Sequence, residues 1–392
     1  MRLSAFVVPD RALDRLVRAC DLPFTLAPPE ADVADGALVR LESRRGSAIG
    51  LAIVDRTEAC WRVMTRAGEP WTSLGETWLD ARIDAAWQWR TAAGVTGPDA
   101  TFRLVHGAGD ALPGLYADVY GTFAVVSALT PALLPLAAGL ATRLIARGLA
   151  EGAIVKHRGR GAAARQGDVV HEIAGRTPPE RLVVREGPWR FEVHLATGVN
   201  VGLFGDMRAE RLRLAGLAAG RRVLNLFAYT GTLSVACATG GAALVTSVDL
   251  SEGVLAWARD NAALNDVPAE RHRTVAADAR RFASAAAARG DAYDLVLIDP
   301  PSFSTARDAA FAIDRDYPGL ITEACRLVAP GGLVWLASNT RGFSLVGAAQ
   351  VGTAAAGRRA QVVAVGLLPA DYPTELADAD ARYLQTCLLR LT

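Results

Sequence analysis

Residues 186–392 predict a doubly wound α/β domain: a mostly parallel sheet with helices on both faces. Two observations predict it. The strand-like runs are apolar on both faces, and helical segments separate them, as in parallel sheets buried from both sides. In order, RRVLNLFAY (221–229) is a strand and TGTLSVACATGG (230–241) a helix, followed by strand ALVTSVDL (243–250) and helix SEGVLAWARDNAALND (251–266). RHRTVAADA (271–279) is a short strand before the alanine-rich helix RRFASAAAARG (280–290), and YDLVLIDPP (293–301) is a strand before helix RDYPGLITEACRLVAPGG (315–332). GLVWLASNT, AQVVAVG and YLQTCLLRL complete the sheet.

Two smaller regions come first. Residues 1–75 carry short alternating runs, ALVRLESRRGSAIGLAIVD and EACWRVMTRAGEPW, punctuated by glycines, and read as a small β-rich domain. Residues 76–185 mix an amphipathic helix bearing Trp87 and Trp89, a strand–turn–strand run (102–129) and a second helix (131–149), forming an α/β middle domain. Large aromatics dominate core burial, so both tryptophans are expected to be core residues.

The composition narrows the function classes. With 51% hydrophobic and 21% charged residues in 392, the chain is of ordinary globular type, and no apolar run reaches the length of a membrane span. The N-terminus has no signal-peptide core, so the expected location is the cytoplasm. Cys20, Cys60, Cys237, Cys325 and Cys387 lie too far apart in sequence for a zinc or redox pair, and no metal site is expected. The net charge of +1 means that a nucleic-acid partner must be held by a local basic surface.

In doubly wound sheets the ligand lies outside the carboxyl ends of the strands. After the first strand comes Asn225-Leu226-Phe227-Ala228-Tyr229-Thr230-Gly231, with one glycine where a pyrophosphate-binding turn needs several. Asp249 follows the second strand, eighteen residues beyond Gly231 and near the spacing at which an acid takes ribose hydroxyls. Asp278 ends the third strand, where a carboxylate meets an adenine amino group; capping a helix is the alternative for each acid. A nucleoside without pyrophosphate points to S-adenosylmethionine. After the fourth strand, Asp299-Pro300-Pro301 sets a carboxylate and free carbonyls beside the methyl donor, and Phe303 is suited to stacking on a base.

These residues carry a resemblance. The span from Gly202 to about Arg341 resembles the bacterial large-subunit ribosomal RNA methyltransferases of the cytosine C5 and guanine N7 types, class I enzymes with a Rossmann-like domain whose last strand is antiparallel. It shares their L-N-x-F-x-Y-T-G turn (Leu224 to Gly231), their D-P-P-x-F loop (Asp299 to Phe303) and a motif at Gly202-Leu203-Phe204-Gly205-Asp206-Met207-Arg208. The resemblance implies that Asp206 and Arg208 border the donor, with Asn225, Phe227, Tyr229, Thr230 and Gly231 on the cofactor side. Residues 1–75 are similar to a PUA module, and Leu104 to Asp118 match the family's middle domain.

The acceptor atom is read after the fifth strand. Cytosine C5 methylation needs a nucleophile, normally a thiolate, which the C5 branch carries in a Ser-Cys-Ser run. Here the residues are Ser338-Asn339-Thr340, and Ser338 to Phe343 resembles the S-N-x-x-R-G-F run of the guanine N7 type. Guanine N7 already has a lone pair, so positioning suffices. Asp299, Pro300, Pro301, Phe303 and Asn339 are the expected catalytic residues. Arg158, Arg160 and Arg341 are expected RNA contacts, with ribosomal RNA or a large-subunit precursor as partner and a monomer or homodimer as the assembly. Cytosine C5 methylation, methylation of a small aromatic metabolite, and a catalytically inactive RNA-binding assembly factor are the alternatives.

Overall fold

A computed structural model describes residues 3–10, 12, 20–30, 32–157, 169–197, 200–301, 303–304, 311–366, 368–376 and 381–392. The chain divides into two compact units. The first comprises Met1–Gly187, Val193–Val201 and Ala370–Ala381; the second comprises Pro188–Glu192, Gly202–Pro369 and Arg382–Thr392. Among the described residues no helix is long and apolar enough to cross a membrane.

The first unit holds two five-stranded sheets. Strands β1 (Ala5–Val7), β2 (Asp21–Pro23), β3 (Leu38–Glu42), β4 (Ala48–Asp55) and β5 (Cys60–Val63) form one, in the order β1-β3-β4-β5-β2. Trp61 fills its core, ringed by Phe6 and Phe24. After helix α1 (Glu76–Ala92), strands β6 (Thr101–His106), β7 (Leu115–Tyr120), β8 (Phe123–Ala128), β9 (Gly152–His157) and β10 (Val169–Gly175) form the second, with α2 (Leu134–Ala146) between β8 and β9. Strands β8 and β9, joined through α2, pair in parallel, and the other neighbours in this sheet pair antiparallel. Of the two tryptophans expected in the core, Trp87 packs on Phe102, but Trp89 is 51% exposed and its indole donates to Ala370 O. Its position on the outer side of α1 overrides its hydrophobicity. Strands β11 (Leu182–Glu186) and β12 (Trp189–Val193) follow.

The second unit is built on a seven-stranded sheet. Its elements in order are α3 (Arg208–Leu217), β13 (Arg222–Leu226), α4 (Thr232–Thr239), β14 (Leu244–Asp249), α5 (Glu252–Leu264), β15 (His272–Ala276), α6 (Ala279–Arg289) and β16 (Tyr293–Ile298). The short strands β17 (Phe303–Ser304) and β18 (Phe311–Ala312) pair with each other, and α7 (Ile313–Leu327), β19 (Val328–Ser338), α8 (Leu345–Ala355), β20 (Ala360–Gly366) and β21 (Gln385–Leu391) complete it. The strand order is β15-β14-β13-β16-β19-β21-β20, parallel except for β21, which runs against both neighbours. Strand order reverses at β13, whose neighbours β14 and β16 lie on opposite sides, so the crevice opens between the carboxyl ends of β13 and β16.

Local chemistry sets the boundaries. Ser251 and Ser344 cap α5 and α8, their hydroxyls accepting from Val254 N and Gly347 N. Helix α7 starts at Ile313, earlier than the sequence pattern suggests, because Asp316 accepts from Ala312 N and secures the first turn, leaving Pro318 inside the helix. It also stops at Leu327, short of the glycine pair. The partner of β16 jumps from Val328 to Leu333 there, so Gly331 and Gly332 make an irregularity in β19 instead of a helix end. Helices α3 and α8 have no counterpart in the sequence-based elements above; α8 is alanine- and glycine-rich and weakly patterned.

Candidate active site

The turn after β13 is held in an unusual backbone conformation. Phe227 and Tyr229 have φ of 60° and 49°, and Gly231 has 73°. Such angles are costly for residues with side chains and persist where surroundings over-determine them. Here Ala228 N donates to Val248 O at 2.9 Å, Tyr229 N donates to Asp249 Oδ2 at 3.0 Å, and the Thr230 hydroxyl donates to Gly202 O at 2.6 Å. Gly202 itself, at φ 100°, lies so close to Trp257 that a Cβ would sit 2.2 Å from the indole ring. Only glycine fits there. The Tyr229 ring stands between Phe204 and Trp257, its hydroxyl hydrogen-bonded to the Gly202 backbone, and burial pushes its phenol up to about 12.

The expected cofactor residues divide into two groups. Thr230 is fully buried and ties the turn to Gly202. Asn225 is buried too, donating to Ser234 Oγ at 2.8 Å at the head of a chain that runs through Ser247 to His272 Nε2. Both shape the wall from behind. Asp249 uses one oxygen for Tyr229 N and the other for Ser251 N, which leaves carboxylate lone pairs for ribose hydroxyls. Asp278 caps α6, accepting from Arg280 N and Arg281 N at 3.0 Å each, with the Arg280 guanidinium at 3.3 Å. Burial alone would raise its pKa, but the Arg281 amide and the Arg280 side chain hold it below the ordinary carboxylate range. The capping alternative is therefore realised at Asp278, with Oδ1 taking both amides and Oδ2 the Arg280 guanidinium.

The charge of Asp206 acts on Asp299. Asp206 lies on a 3-10 turn (Gly205–Met207) and accepts from the Tyr383 hydroxyl at 2.7 Å, while Asp299 follows β16. Burial of the carboxyl and then the charge of Asp206 push Asp299 up to about 7. A cation beside Asp299 would offset both causes. Arg208 begins α3, with Met207 between it and Asp206. Pro300 is buried and Pro301 exposed.

Tyr317, on α7, is fully buried under this rim. Its hydroxyl lies 3.0 Å from Ile298 O and 2.8 Å from Ala337 O, accepts from Ala337 N at 3.2 Å, and its ring stacks on Phe343 at 5.8 Å. Neither Tyr317 nor Tyr383 is among the residues singled out from sequence. A tyrosine on the buried face of a helix, whose hydroxyl needs a partner, was the available signal for Tyr317. Tyr383 has no local signal, because its partner lies 177 positions away.

In the loop after β19, Thr340 N donates to the buried Ser338 hydroxyl, and Asn339 and Arg341 are exposed. Cys325 and Cys387 are buried in the core, and burial pushes the Cys325 thiol up to about 11. Phe303 lies in β17, but its side chain, together with Arg158 and Arg160, lies outside the described residues.

The arrangement fits S-adenosylmethionine. A half-buried carboxylate pair suits a ligand bearing an ammonium and a sulfonium, Asp249 suits ribose, and the single-glycine turn after β13 carries no pyrophosphate cradle.

Comparisons with known proteins agree with this fit. The sequence model of the S-adenosylmethionine-dependent methyltransferase family matches residues 141–380. The chain is 34% identical over 313 residues to a protein of Deinococcus radiodurans named ribosomal RNA large subunit methyltransferase, covering 77% of this chain and 76% of that one. It is 46% identical over 168 residues to the ribosomal RNA large subunit methyltransferase K/L of Chromohalobacter salexigens, spanning 42% of this chain and 22% of the relative. In fold it is similar to the crystal structure of SMU.776 complexed with SAH, with a TM-score of 0.86 at 24% identity over 99% of this chain and 100% of that one. The chain belongs to the S-adenosylmethionine-dependent methyltransferase family.

Proposed function

We propose that this chain methylates N7 of a guanine in large-subunit ribosomal RNA, without a covalent enzyme intermediate. The observation that carries the choice of atom is the loop after β19: Ser338-Asn339-Thr340 offers no thiol, and the thiols of Cys325 and Cys387 are sealed in the core. Cytosine C5 chemistry would need such a nucleophile. The names of the Deinococcus and Chromohalobacter relatives support ribosomal RNA as the substrate class.

S-adenosylmethionine, when bound, supplies a methyl group on positively charged sulfur. Asp206 and Asp299 receive its cationic end, and the Asp249 carboxylate its ribose. Asp299 and the carbonyls of the Asp299-Pro300-Pro301 loop accept from the guanine N–H edge, Asn339 holds the other side of the base, and Phe303 stacks on it. The guanine N7 lone pair attacks the methyl carbon in line as its bond to sulfur breaks and S-adenosylhomocysteine leaves, so no proton has to be removed first. Carboxylates at the rim stabilise the positive charge that develops on the methylated ring. Residues 1–75 serve as a PUA-like module, 76–185 as a middle domain and 186–392 as the catalytic domain. Arg341, Arg158 and Arg160 contact phosphates, and the enzyme works in the cytoplasm as a monomer or homodimer.

The test is mass spectrometry of nucleosides from ribosomal RNA incubated with the protein and labelled S-adenosylmethionine. Labelled 7-methylguanosine is expected. Labelled 5-methylcytidine would overturn the choice of atom, and no label despite donor binding would overturn the substrate class in favour of a small aromatic acceptor.

A further inference from the structure

The two loops that hold the acceptor in this reading leave adjacent strands. Asp299 follows β16 and Asn339 follows β19, and the parallel ladder between those strands ends at Ile298 opposite Leu336. At that point the Tyr317 hydroxyl sits among Ile298 O, Ala337 O and Ala337 N, at 3.0, 2.8 and 3.2 Å. A phenol has one proton to give and lone pairs to receive, so it donates to one carbonyl at a time and accepts from the Ala337 amide. Its ring is fixed from below by Phe343 and by burial within the core of the second unit. A helix thus reaches under the sheet and bridges two strand ends just before each continues into a loop of the site. Burying a tyrosine hydroxyl is unfavourable unless it is satisfied, and an aliphatic residue would pack here without that demand.

We propose that Tyr317 is a positioning residue: its hydroxyl sets the separation of the Asp299 and Asn339 loops, and thereby the alignment of the acceptor base with the methyl group. The proposal rests on the functional reading above for the identity of the acceptor. It assigns Tyr317 no contact with donor or acceptor; it acts through Ile298 and Ala337. Among the described residues, the groups coupled by charge to Asp299 are Asp206 of the 3-10 turn, itself bonded by Tyr383, and Tyr317 of α7.

The test is Tyr317→Phe, which keeps the stacked ring and removes only the hydroxyl. Four quantities are measured: kcat and KM for label transfer to ribosomal RNA, Kd for S-adenosylmethionine by calorimetry, the melting temperature, and the titration of Asp299 by carboxyl carbon NMR. Misalignment predicts that kcat falls ~10- to 100-fold while donor Kd stays within about twofold. The Asp299 midpoint should also fall from about 7 as the loop loosens and water reaches the carboxyl. Unchanged kcat would overturn the proposal, and so would parallel losses of kcat, donor affinity and melting temperature, which indicate a merely structural role. If the wild-type chain labels no ribosomal RNA, the functional reading fails by itself and the Asp299 titration decides: a midpoint lowered in Y317F supports the positioning role, and an unmoved one overturns it.

Discussion

Each unit holds a cluster of charged side chains, and the two clusters are composed differently. In the first unit Arg90 grips Asp110 in a bidentate pair and also donates to Arg103 O and Asp371 O, while Arg103 pairs with Asp118 and lies between the rings of Tyr116 and Tyr372. His106 sits among them, and burial followed by the charges of Arg103 and Arg90 pushes it down to about 3, so it stays neutral. Every charge named there has an opposite. In the second unit, Asp206 and Asp299 set like charges against each other. A matched cluster serves stability, whereas a mismatched one is held ready for a ligand that completes it.

The largest expected effect breaks the matched cluster. Arg90→Ala strands the buried Asp110 carboxylate and should cost about 3–5 kcal/mol in urea denaturation, with donor Kd unchanged where the protein remains folded. A cost under about 1 kcal/mol would mean that the first cluster is no more a stability device than the second.

Next comes the mismatched pair. Asp299→Asn should lower turnover on the order of 10²-fold without lowering the melting temperature. Its pH dependence sharpens the contrast. Asp299, with its folded pKa raised, adds stability that is present below the ordinary carboxylate range and lost as pH rises through about 7. His106, with its folded pKa depressed, adds stability that is present above its ordinary value and lost as pH falls towards about 3. The slopes are opposite, and Asp299→Asn and His106→Gln should each remove one of them from a series of melting curves. A cationic donor must also displace the Asp299 proton below about 7, so wild-type affinity should weaken by up to about tenfold per pH unit there. A flat profile in wild type would show that Asp299 does not face the cation.

The smallest effect tests the support of the pair. Tyr383→Phe removes one hydrogen bond to Asp206 and should weaken donor binding by about 1 kcal/mol, roughly fivefold, at unchanged stability. An unaltered Kd would separate Asp206 from the donor.

Much of the catalytic sheet was legible in the sequence because its strands are apolar on both faces and its helices intervene, a pattern that composition and period carry directly. The parallel strands and the crevice beside β13 follow that expectation, whereas the antiparallel last strand, β21, is what the resemblance to class I methyltransferases implies. Helix α8 was not legible, since small residues give it little periodicity, and the end of α7 was misplaced because a glycine pair marks a strand irregularity as readily as a helix terminus. At the site, Asp249 and Asp299 stood out by their places at strand ends. For Asp278, the same place is where a helix cap belongs, and sequence alone does not separate the two uses.

The residue order by itself determined the fold class, the absence of a pyrophosphate turn and the missing thiol after β19, because each depends on neighbours along the chain. Only the tertiary structure decided that the charge of Asp206 acts on Asp299, that Tyr383 anchors the first, and that Tyr317 bridges the strand ends beside the second. Those relations join residues far apart in sequence, and electrostatic coupling and hydrogen-bond geometry depend on distance in space, which folding alone establishes.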